Sequence, residues 1–275
     1  KQIAQTTAGF TGADLENLLN EAALLSAREK RPFIRMDVLH EAMLKVIAGP
    51  EKKSRVVPLH ARKLTAYHEA GHAVVIHELK TQDPVHQITI IPRGPAGGLT
   101  ISLPEEDRMY QSRQELQERI CTCLGGRVAE ELVLGDISTG ASNDLQTATS
   151  IARSMVMKYG MSDRLGAISY DSDQEVFIGR SMSQARAYSE EVAGLIDEEI
   201  KAILDTCREI LSQNMDALER TAQYLLEFET MSAEDFQLVF QPPEVLERRK
   251  AEERVQRPRQ AEEKAAEQAR LQAAR

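Results

Sequence analysis

The sequence is organised around Thr65-Ala66-Tyr67-His68-Glu69-Ala70-Gly71-His72-Ala73-Val74-Val75, which contains the pattern His-Glu-x-x-His. The flanks of this pattern predict a helix that is apolar on one side. In a helix, residues four positions apart lie on one face, so His68 and His72 present their imidazoles to the same point. Two imidazoles at this spacing can supply the first two nitrogen ligands of a zinc ion. Glu69 lies close enough to act as a general base on a water at the metal, so the stretch predicts a zinc hydrolase.

The alternative interpretation is a pair of histidines satisfied near a core, with Glu69 merely solvated. The chain has only six histidines, so a chance His-Glu-x-x-His is expected in on the order of one such sequence in a hundred. Ala70, Gly71 and Ala73 are small, which lets another segment approach the helix closely. Gly71 costs about 1 kcal/mol relative to Ala in a helix interior, and close packing would explain that cost. The pattern therefore favours the metal site.

Composition restricts the classes of function. The chain has 275 residues with a formal net charge of -9, and this acidic balance argues against a nucleic-acid partner. No apolar run approaches the eighteen or so residues of a membrane span, so we expect the chain to be soluble on its own. Cys121 and Cys123 are too close together for a zinc knuckle, so with Cys207 they are predicted to be small buried hydrophobes in a reducing compartment.

Helix signals and composition divide the chain into three segments. Residues 1–57 form a helical unit, in which Thr11 is a predicted N-cap with Asp14 three residues later. Residues 58–240 contain the His-Glu-x-x-His helix and further helical patterns. Residues 241–275 are mostly charged and contain scarcely any apolar residue. Such a tail cannot bury a core, so we expect disorder or a fraying, solvated helix there.

Two short stretches in the second segment have the alternation of β-strands. Residues 85–91 and 99–103 are rich in β-branched residues and flank a turn with several glycines. The pair predicts a small hairpin, and an edge strand of such a hairpin can accept an extended peptide by strand addition. The alternative is a hairpin with only a structural role.

A family resemblance is carried by two parts of the sequence. The strings Gly9-Phe10-Thr11-Gly12-Ala13-Asp14-Leu15 and Asn17-Leu18-Leu19-Asn20-Glu21-Ala22-Ala23 resemble the lid subdomain of an AAA+ ATPase. Their join to His68-Glu69-Ala70-Gly71-His72 is similar to the FtsH family of membrane-anchored AAA+ zinc proteases, over about residues 3 to 240. The resemblance implies a mainly α fold, with a helical AAA+ lid subdomain in residues 1–57. A helical zinc peptidase domain with a small β-hairpin would follow in residues 58–240.

The resemblance also bears on the remaining ligand. On the residues alone, Asp144 in a first helical turn is ordinarily a cap or a partner of the helix dipole. The FtsH-family motif Ser-Thr-Gly-Ala-Ser-Asn-Asp matches Ser138 to Asp144, and this resemblance implies that Asp144 is the third zinc ligand. Glu130 is the rival, either as a ligand, as an acceptor that orients a ligand imidazole, or as a member of a structural salt bridge.

Substrate binding and cofactors are likewise implied by the resemblance. In the family the second strand lies beside the zinc and is thought to hold substrate, which assigns Gly98, Leu99, Thr100 and Ile101 to substrate binding. The phosphate-binding loop, the acidic strand that follows it and the pore loop are missing from this sequence. ATP and Mg²⁺ are therefore expected only in the intact protein, and Zn²⁺ in this chain.

The predicted function is an ATP-dependent zinc endopeptidase that degrades unfolded or membrane-extracted proteins. The resemblance implies a homo-hexamer at the cytoplasmic face of the bacterial inner membrane, held there by an N-terminal anchor absent from this sequence. The competing hypothesis is a non-catalytic, ring-forming scaffold with a structural zinc. A lid-type adaptor of a partner ATPase would use only residues 1–57 and would leave the His-Glu-x-x-His pattern unexplained.

Overall fold

The computed structural model describes residues 3–4, 7, 9–52, 57–104, 110–169 and 190–273, and of residues 191 and 259–273 it describes only the backbone. Helices dominate these residues, and the predicted mainly α fold is confirmed. The helices are α1 (Gly12–Arg28), α2 (Met36–Ala48), α3 (Leu59–Glu78), α4 (Arg113–Leu134), α5 (Ser142–Met157), α6 (Glu190–Gln213), α7 (Met215–Phe228), α8 (Ala233–Gln237) and α9 (Pro243–Ala273), and the strands are β1 (Val85–Thr89), β2 (Leu99–Ser102) and β3 (Thr230–Ser232).

Capping boxes begin two of the helices. The Thr11 hydroxyl accepts from the backbone N–H of Asp14, whose carboxylate accepts from the backbone N–H of Thr11, and α1 begins at the next residue. Ser112 and Glu115 make the same reciprocal pair at the start of α4. Each box satisfies two backbone N–H groups that have no partner inside the helix. The N-cap predicted at Thr11 is therefore confirmed.

The small sheet has one strand more than predicted. Its order is β2-β1-β3, and both neighbouring pairs are antiparallel. Ile88 in β1 lies opposite Thr100 in β2 and opposite Met231 in β3. The sequence predicted only the hairpin, because a strand of three residues is too short to show an alternating pattern. In this sheet β2 is an edge strand, as the sequence predicted.

The chain divides into two compact units. The first comprises Lys1–Glu69, Asp83–Asp107 and Glu219–Arg275, and the second comprises Ala70–Gln82 and Arg108–Leu218. Helix α3 contributes residues to both, because the division falls between Glu69 and Ala70. The segment boundaries after residues 57 and 240 stay predictions.

In the first unit, α1 and α2 pack against each other and share a hydrophobic core with β2. Ile101 of β2 is one of the buried members of this core. The strand thus rests on the two N-terminal helices as well as on β1. The buried members are Leu18, Ala22, Val38, Ala42, Met43, Leu44 and Ile101, with Leu25, Leu39, Leu99 and Leu103 partly buried against them.

In the second unit, α4, α5 and α6 pack together, and α3 crosses α4 at two glycines. A Cβ added to Gly71 would lie 2.5 Å from the carbonyl oxygen of Gly125 and 2.6 Å from Cβ of Ala129. A Cβ on Gly125 would lie 2.9 Å from the carbonyl oxygen of Gly71. Only glycine fits at this approach of two backbones, so the expected reason for Gly71 in a helix is confirmed.

The prediction of a disordered or solvated tail differs from the structure in its first part. Helix α9 begins at Pro243, where proline is favoured because a first-turn residue needs no N–H partner. Leu246 is only 1% exposed, and Arg249 donates to the buried carboxylate of Asp235 at 2.6 Å. The composition did not predict this packing, because it depends on one leucine and several arginines and not on a run of apolar residues. Among the described residues, no helix combines the length and the apolar character needed to cross a membrane.

Candidate metal centre

His72 is held by the backbone of the neighbouring helix. Its Nδ1 lies 2.8 Å from the carbonyl oxygen of Thr122 in α4. A carbonyl can only accept, so Nδ1 carries the proton and the lone pair of a neutral ring lies on Nε2. That Nε2 lies 3.8 Å from Oδ2 of Asp144. The close crossing at Gly71 brings α3 near enough to α4 for this hydrogen bond.

Asp144 is carried by the first turn of α5, and the chain before it is anchored by Glu130. Glu130 is fully buried, and its carboxylate accepts from the backbone N–H of Ser138 at 2.8 Å and from the Ser138 hydroxyl at 3.2 Å. Ser138 in turn caps the short 3-10 turn Thr139–Ala141, which leads into α5. The N-cap residue of α5 is Ala141, so Asp144 is not the N-cap of its helix.

The three predicted ligands come together. His68, His72 and Asp144 each offer one ligand atom, and these atoms lie within 4.8 Å of one another. Two donor atoms that each lie about 2.0–2.1 Å from a zinc ion are at most about 4 Å apart, and the 3.8 Å between His72 and Asp144 meets this limit. Two imidazoles and one carboxylate are also the donor set of zinc sites that keep a position for water. The residues present therefore fit a zinc ion.

Glu69, the predicted base, is held by β2 and by the turn before it. Its side chain is nearly buried at 6% exposure. The Thr100 hydroxyl lies 2.7 Å from Oε2 of Glu69 and 3.2 Å from the backbone carbonyl oxygen of the same residue. A Cβ on Gly98 would lie 2.8 Å from both Cγ and Oε1 of Glu69. Gly98 therefore leaves the room that the carboxylate occupies.

The four residues predicted to bind substrate have different surroundings. Gly98 and Thr100 lie against Glu69. Ile101 belongs to the core with α1 and α2, and Leu99 is partly buried against the same core. Alternate residues of β2 thus contact different neighbours, as the period of a strand requires.

The structure adds contacts that no sequence pattern predicted. The acceptor for His72 is a backbone carbonyl, which any residue at position 122 could provide, so the sequence carries no signal for it. The bond from Thr100 to Glu69 joins residues 31 positions apart and depends on how the hairpin packs. Glu130 was considered as a ligand, but the metal-ligand cluster of the described residues does not include it.

Cys123 lies in the same part of the second unit. Burial raises the pKa of its thiol to about 11, and the nearby charge of Asp144 acts in the same direction. The thiol is accordingly neutral at physiological pH. Cys121 and Cys207 are buried free thiols, and the Cys207 thiol donates to the carbonyl oxygen of Cys121.

The mainly α fold and the cluster on His-Glu-x-x-His define a helical domain with a metal centre of the metallopeptidase type. The chain belongs to peptidase family M41, whose family model matches residues 55–239. Residues 1–41 match the AAA+ lid domain. These matches confirm the predicted resemblance.

Curated relatives cover most of the chain. It is 56% identical over 245 residues to "ATP-dependent zinc metalloprotease FtsH 2" of Alkaliphilus metalliredigens, and this match covers 87% of the chain and 36% of the relative. It is 56% identical to FtsH of Caldicellulosiruptor bescii, covering 87% of the chain and 40% of the relative. For FtsH of Bacillus subtilis the identity is 50%, with 85% and 38% covered. The chain thus spans well under half the length of these relatives.

Proposed function

We propose that this chain is the proteolytic part of an ATP-dependent zinc endopeptidase. The observation that carries the proposal is the cluster of His68, His72 and Asp144, whose ligand atoms lie within 4.8 Å of one another. The two histidines of this cluster stand on α3, the helix that also bears Glu69. The names of the relatives, all ATP-dependent zinc metalloproteases, support it.

In this proposal each residue has one role. His68, His72 and Asp144 hold the metal, and the Thr122 carbonyl fixes the His72 tautomer so that Nε2 can ligate. When bound, zinc supplies a Lewis acid that polarises the scissile carbonyl and lowers the pKa of a bound water. Glu69 accepts a proton from the attacking water and then delivers it to the departing amine.

Strand β2 is the proposed holder of the substrate. It is the edge of its sheet, so its backbone can pair with an extended peptide, with Gly98, Leu99, Thr100 and Ile101 as the residues alongside. Pairing through the backbone reads little side-chain information, which suits unfolded or misfolded protein substrates. This role places the peptide next to Glu69, which Thr100 contacts.

The remaining parts of the proposal concern the intact protein. Residues 1–57 would belong to the AAA+ lid, residues 58–240 to the peptidase domain, and residues 241–275 to a charged C-terminal segment. ATP and Mg²⁺ would bind outside this chain and drive the feeding of unfolded or membrane-extracted substrates. We further propose a homo-hexamer, anchored by an N-terminal segment at the cytoplasmic face of the bacterial inner membrane.

A chelator-sensitive cleavage assay tests the central claim. The chain with one equivalent of zinc should cleave casein, lose this activity in 1,10-phenanthroline and regain it with added zinc. Glu69→Gln should retain zinc by elemental analysis yet lose cleavage. Glu78→Gln, on an exposed residue at the end of the same helix, is the matched control and should keep both properties. Cleavage by Glu69→Gln would overturn the assignment of the base.

The third ligand has its own test, which also addresses the scaffold alternative. Asp144→Asn should weaken zinc retention directly. Glu130→Gln should change zinc retention only indirectly, through the loop at Ser138 that it holds. Unchanged zinc in Asp144→Asn with zinc loss in Glu130→Gln would transfer the ligand role to Glu130. A closed structural site needs four protein ligands, so one tightly held zinc without any cleavage would favour the scaffold.

A further inference from the structure

We propose that α1 and α2, called here the α1–α2 pair, position the Glu69 carboxylate through β2, with Thr100 as the positioning residue. The inference rests on the proposed function, since it concerns the base of that reaction. It makes α1 and the beginning of α2, which match an AAA+ lid, part of the surroundings of the proposed peptidase base.

The first step is the apolar contact of β2. Leu99, Ile101 and Leu103 alternate along the chain and all pack with the α1–α2 pair in one hydrophobic core. Ile101 is 8% exposed, and Leu18 of α1 is 2% exposed within the same core. Apolar contacts of this extent fix the strand on the two helices, so their position sets the position of β2.

The second step is the polar contact of the same strand. Thr100 stands between Leu99 and Ile101, and successive side chains of a strand point to opposite faces. Its hydroxyl donates to Oε2 of Glu69 at 2.7 Å. A hydrogen bond to a carboxylate is stronger than one between neutral groups, and it selects one rotamer of the glutamate. The position of β2 therefore determines the position of the Glu69 carboxylate.

The third step is the turn that leads into β2. Arg93 is 3% exposed and pairs with Glu41 of α2 at 3.0 Å and with Glu51 at 2.5 Å. The backbone N–H of Lys52 donates to the carbonyl oxygen of Pro92 at 2.9 Å. These contacts tie the segment after α2 to the turn that carries Gly98 against Glu69. The α1–α2 pair therefore holds both the strand and its approach.

A substitution series at Thr100 tests the positioning role. Thr100→Val removes the hydroxyl and keeps the shape, so kcat for an unstructured peptide should fall about tenfold. KM and zinc content should stay unchanged, because the backbone of β2 and the ligands are untouched. Thr100→Ser restores the donor and should recover most of kcat. A Thr100→Val enzyme with full kcat would overturn the role of Thr100. A Thr100→Ser enzyme whose kcat is as low as that of Thr100→Val would overturn it as well.

A second measurement needs neither zinc nor activity. In the zinc-free chain, Leu18→Ala, in the shared core, should speed amide hydrogen exchange in residues 99–102 more than tenfold. Leu24→Ala, on the same helix but 63% exposed, is the matched control and should leave this exchange unchanged. If Leu18→Ala prevents folding, Ile101→Val is the variant to measure. It is a milder change in the same core and should speed exchange in residues 99–102 by a smaller factor. If amide exchange in β2 is unchanged in both core variants, the coupling between the α1–α2 pair and β2 is overturned.

The two hypotheses fail in different ways. A wild-type chain that binds zinc but never cleaves would overturn the proposed function, and the exchange experiment would still decide the coupling. A wild-type chain that cleaves, with Glu69→Gln inactive and Thr100→Val fully active, would retain the proposed function and overturn the inference alone.

Discussion

His72 and Glu69 lie three residues apart on one helix, yet they are held by different kinds of contact. His72 is oriented by a backbone carbonyl, that of Thr122, next to a crossing of two glycines. Glu69 is oriented by a side-chain hydroxyl, that of Thr100, and its carboxylate occupies the room that Gly98 leaves by having no side chain. The proposed ligand is thus fixed by the backbone of a helix pair, and the proposed base by the side of a strand.

The difference has a physical consequence. A backbone contact between packed helices changes only when the helices themselves move, so it suits a ligand that must keep its distance to a metal. A side-chain contact from a strand changes with the strand, so it suits a group whose activity follows the position of another element. Variants that remove one kind of contact and spare the other can separate the two.

The largest effect is expected at the helix crossing. Gly71→Ala would place a Cβ 2.5 Å from the carbonyl oxygen of Gly125, and backbone atoms of a packed helix cannot give way cheaply. We expect the free energy of unfolding to fall by about 3 kcal/mol, as measured by urea denaturation followed by circular dichroism. Zinc retention should fall with it, because His72 moves away from the Thr122 carbonyl.

Gly194 provides the control for Gly71→Ala. It also lies inside a helix, α6, but a Cβ there would meet no atom within 4 Å. Gly194→Ala should therefore stabilise the chain by about 0.5–1 kcal/mol, the ordinary gain of alanine over glycine in a helix. Equal stability of the two variants would show that the crossing is not tight.

The next effect is on the strand side of the comparison. Gly98→Ala would place a Cβ 2.8 Å from Cγ and Oε1 of Glu69, so the carboxylate must move. We expect kcat to fall about 10- to 100-fold with zinc content unchanged. Gly97→Ala is the control, because its Cβ would meet only Oγ1 of Thr65 at 3.6 Å. Its kcat should stay within about twofold of the wild-type value. Zinc loss in Gly98→Ala would contradict the separation of base and ligands.

A contact made by a carboxylate side chain also depends on pH, and Asp235 provides such a contact. Burial favours the neutral form of Asp235, but hydrogen bonds from Arg249, Ser232 and Tyr224 outweigh it and lower the pKa of this carboxyl below its ordinary value of 3.8. A lowered pKa stabilises the fold above about pH 4, and this contribution is lost as pH falls through the lowered pKa.

Asp235→Asn measures that contribution. At pH 7 the variant should be less stable by about 1–2 kcal/mol, because the charged acceptor of Arg249 is gone. The difference from wild type should stay constant from pH 7 to about pH 5 and shrink below about pH 4. Urea denaturation over this range is the measurement. A difference that persists undiminished at pH 2.5 would show that the Asp235 charge is not its source.

Much of this arrangement could be predicted from the sequence, because it follows from local rules. The His-Glu-x-x-His spacing determines a shared helix face, and Thr11 with Asp14 determines where α1 begins. The three donors were predicted as a set, although Asp144 required the family resemblance and not the residues alone. Their ligand atoms lie within 4.8 Å of one another in the structure, and their role as zinc ligands stays a proposal.

What the sequence could not predict is long-range. Strand β3 is defined only by its partner β1, since three residues carry no usable pattern. The docking of α9 depends on Leu246 and on the Arg249–Asp235 pair, which composition treats as an ordinary charged stretch. The contact between Thr100 and Glu69 requires the hairpin to be placed on the α1–α2 pair, a matter of tertiary packing.

The smallest effect is expected at Thr122, and it separates backbone from side chain most cleanly. The Thr122 hydroxyl bonds to the carbonyl oxygen of Glu118 one turn earlier in α4, while the Thr122 carbonyl accepts from His72. Thr122→Ala deletes the first contact and keeps the second, and alanine favours the helix. Zinc affinity, measured by competition with a chromophoric chelator, should change by less than about twofold. A tenfold loss would mean that His72 depends on the threonine side chain, and the contrast with Glu69 would then disappear.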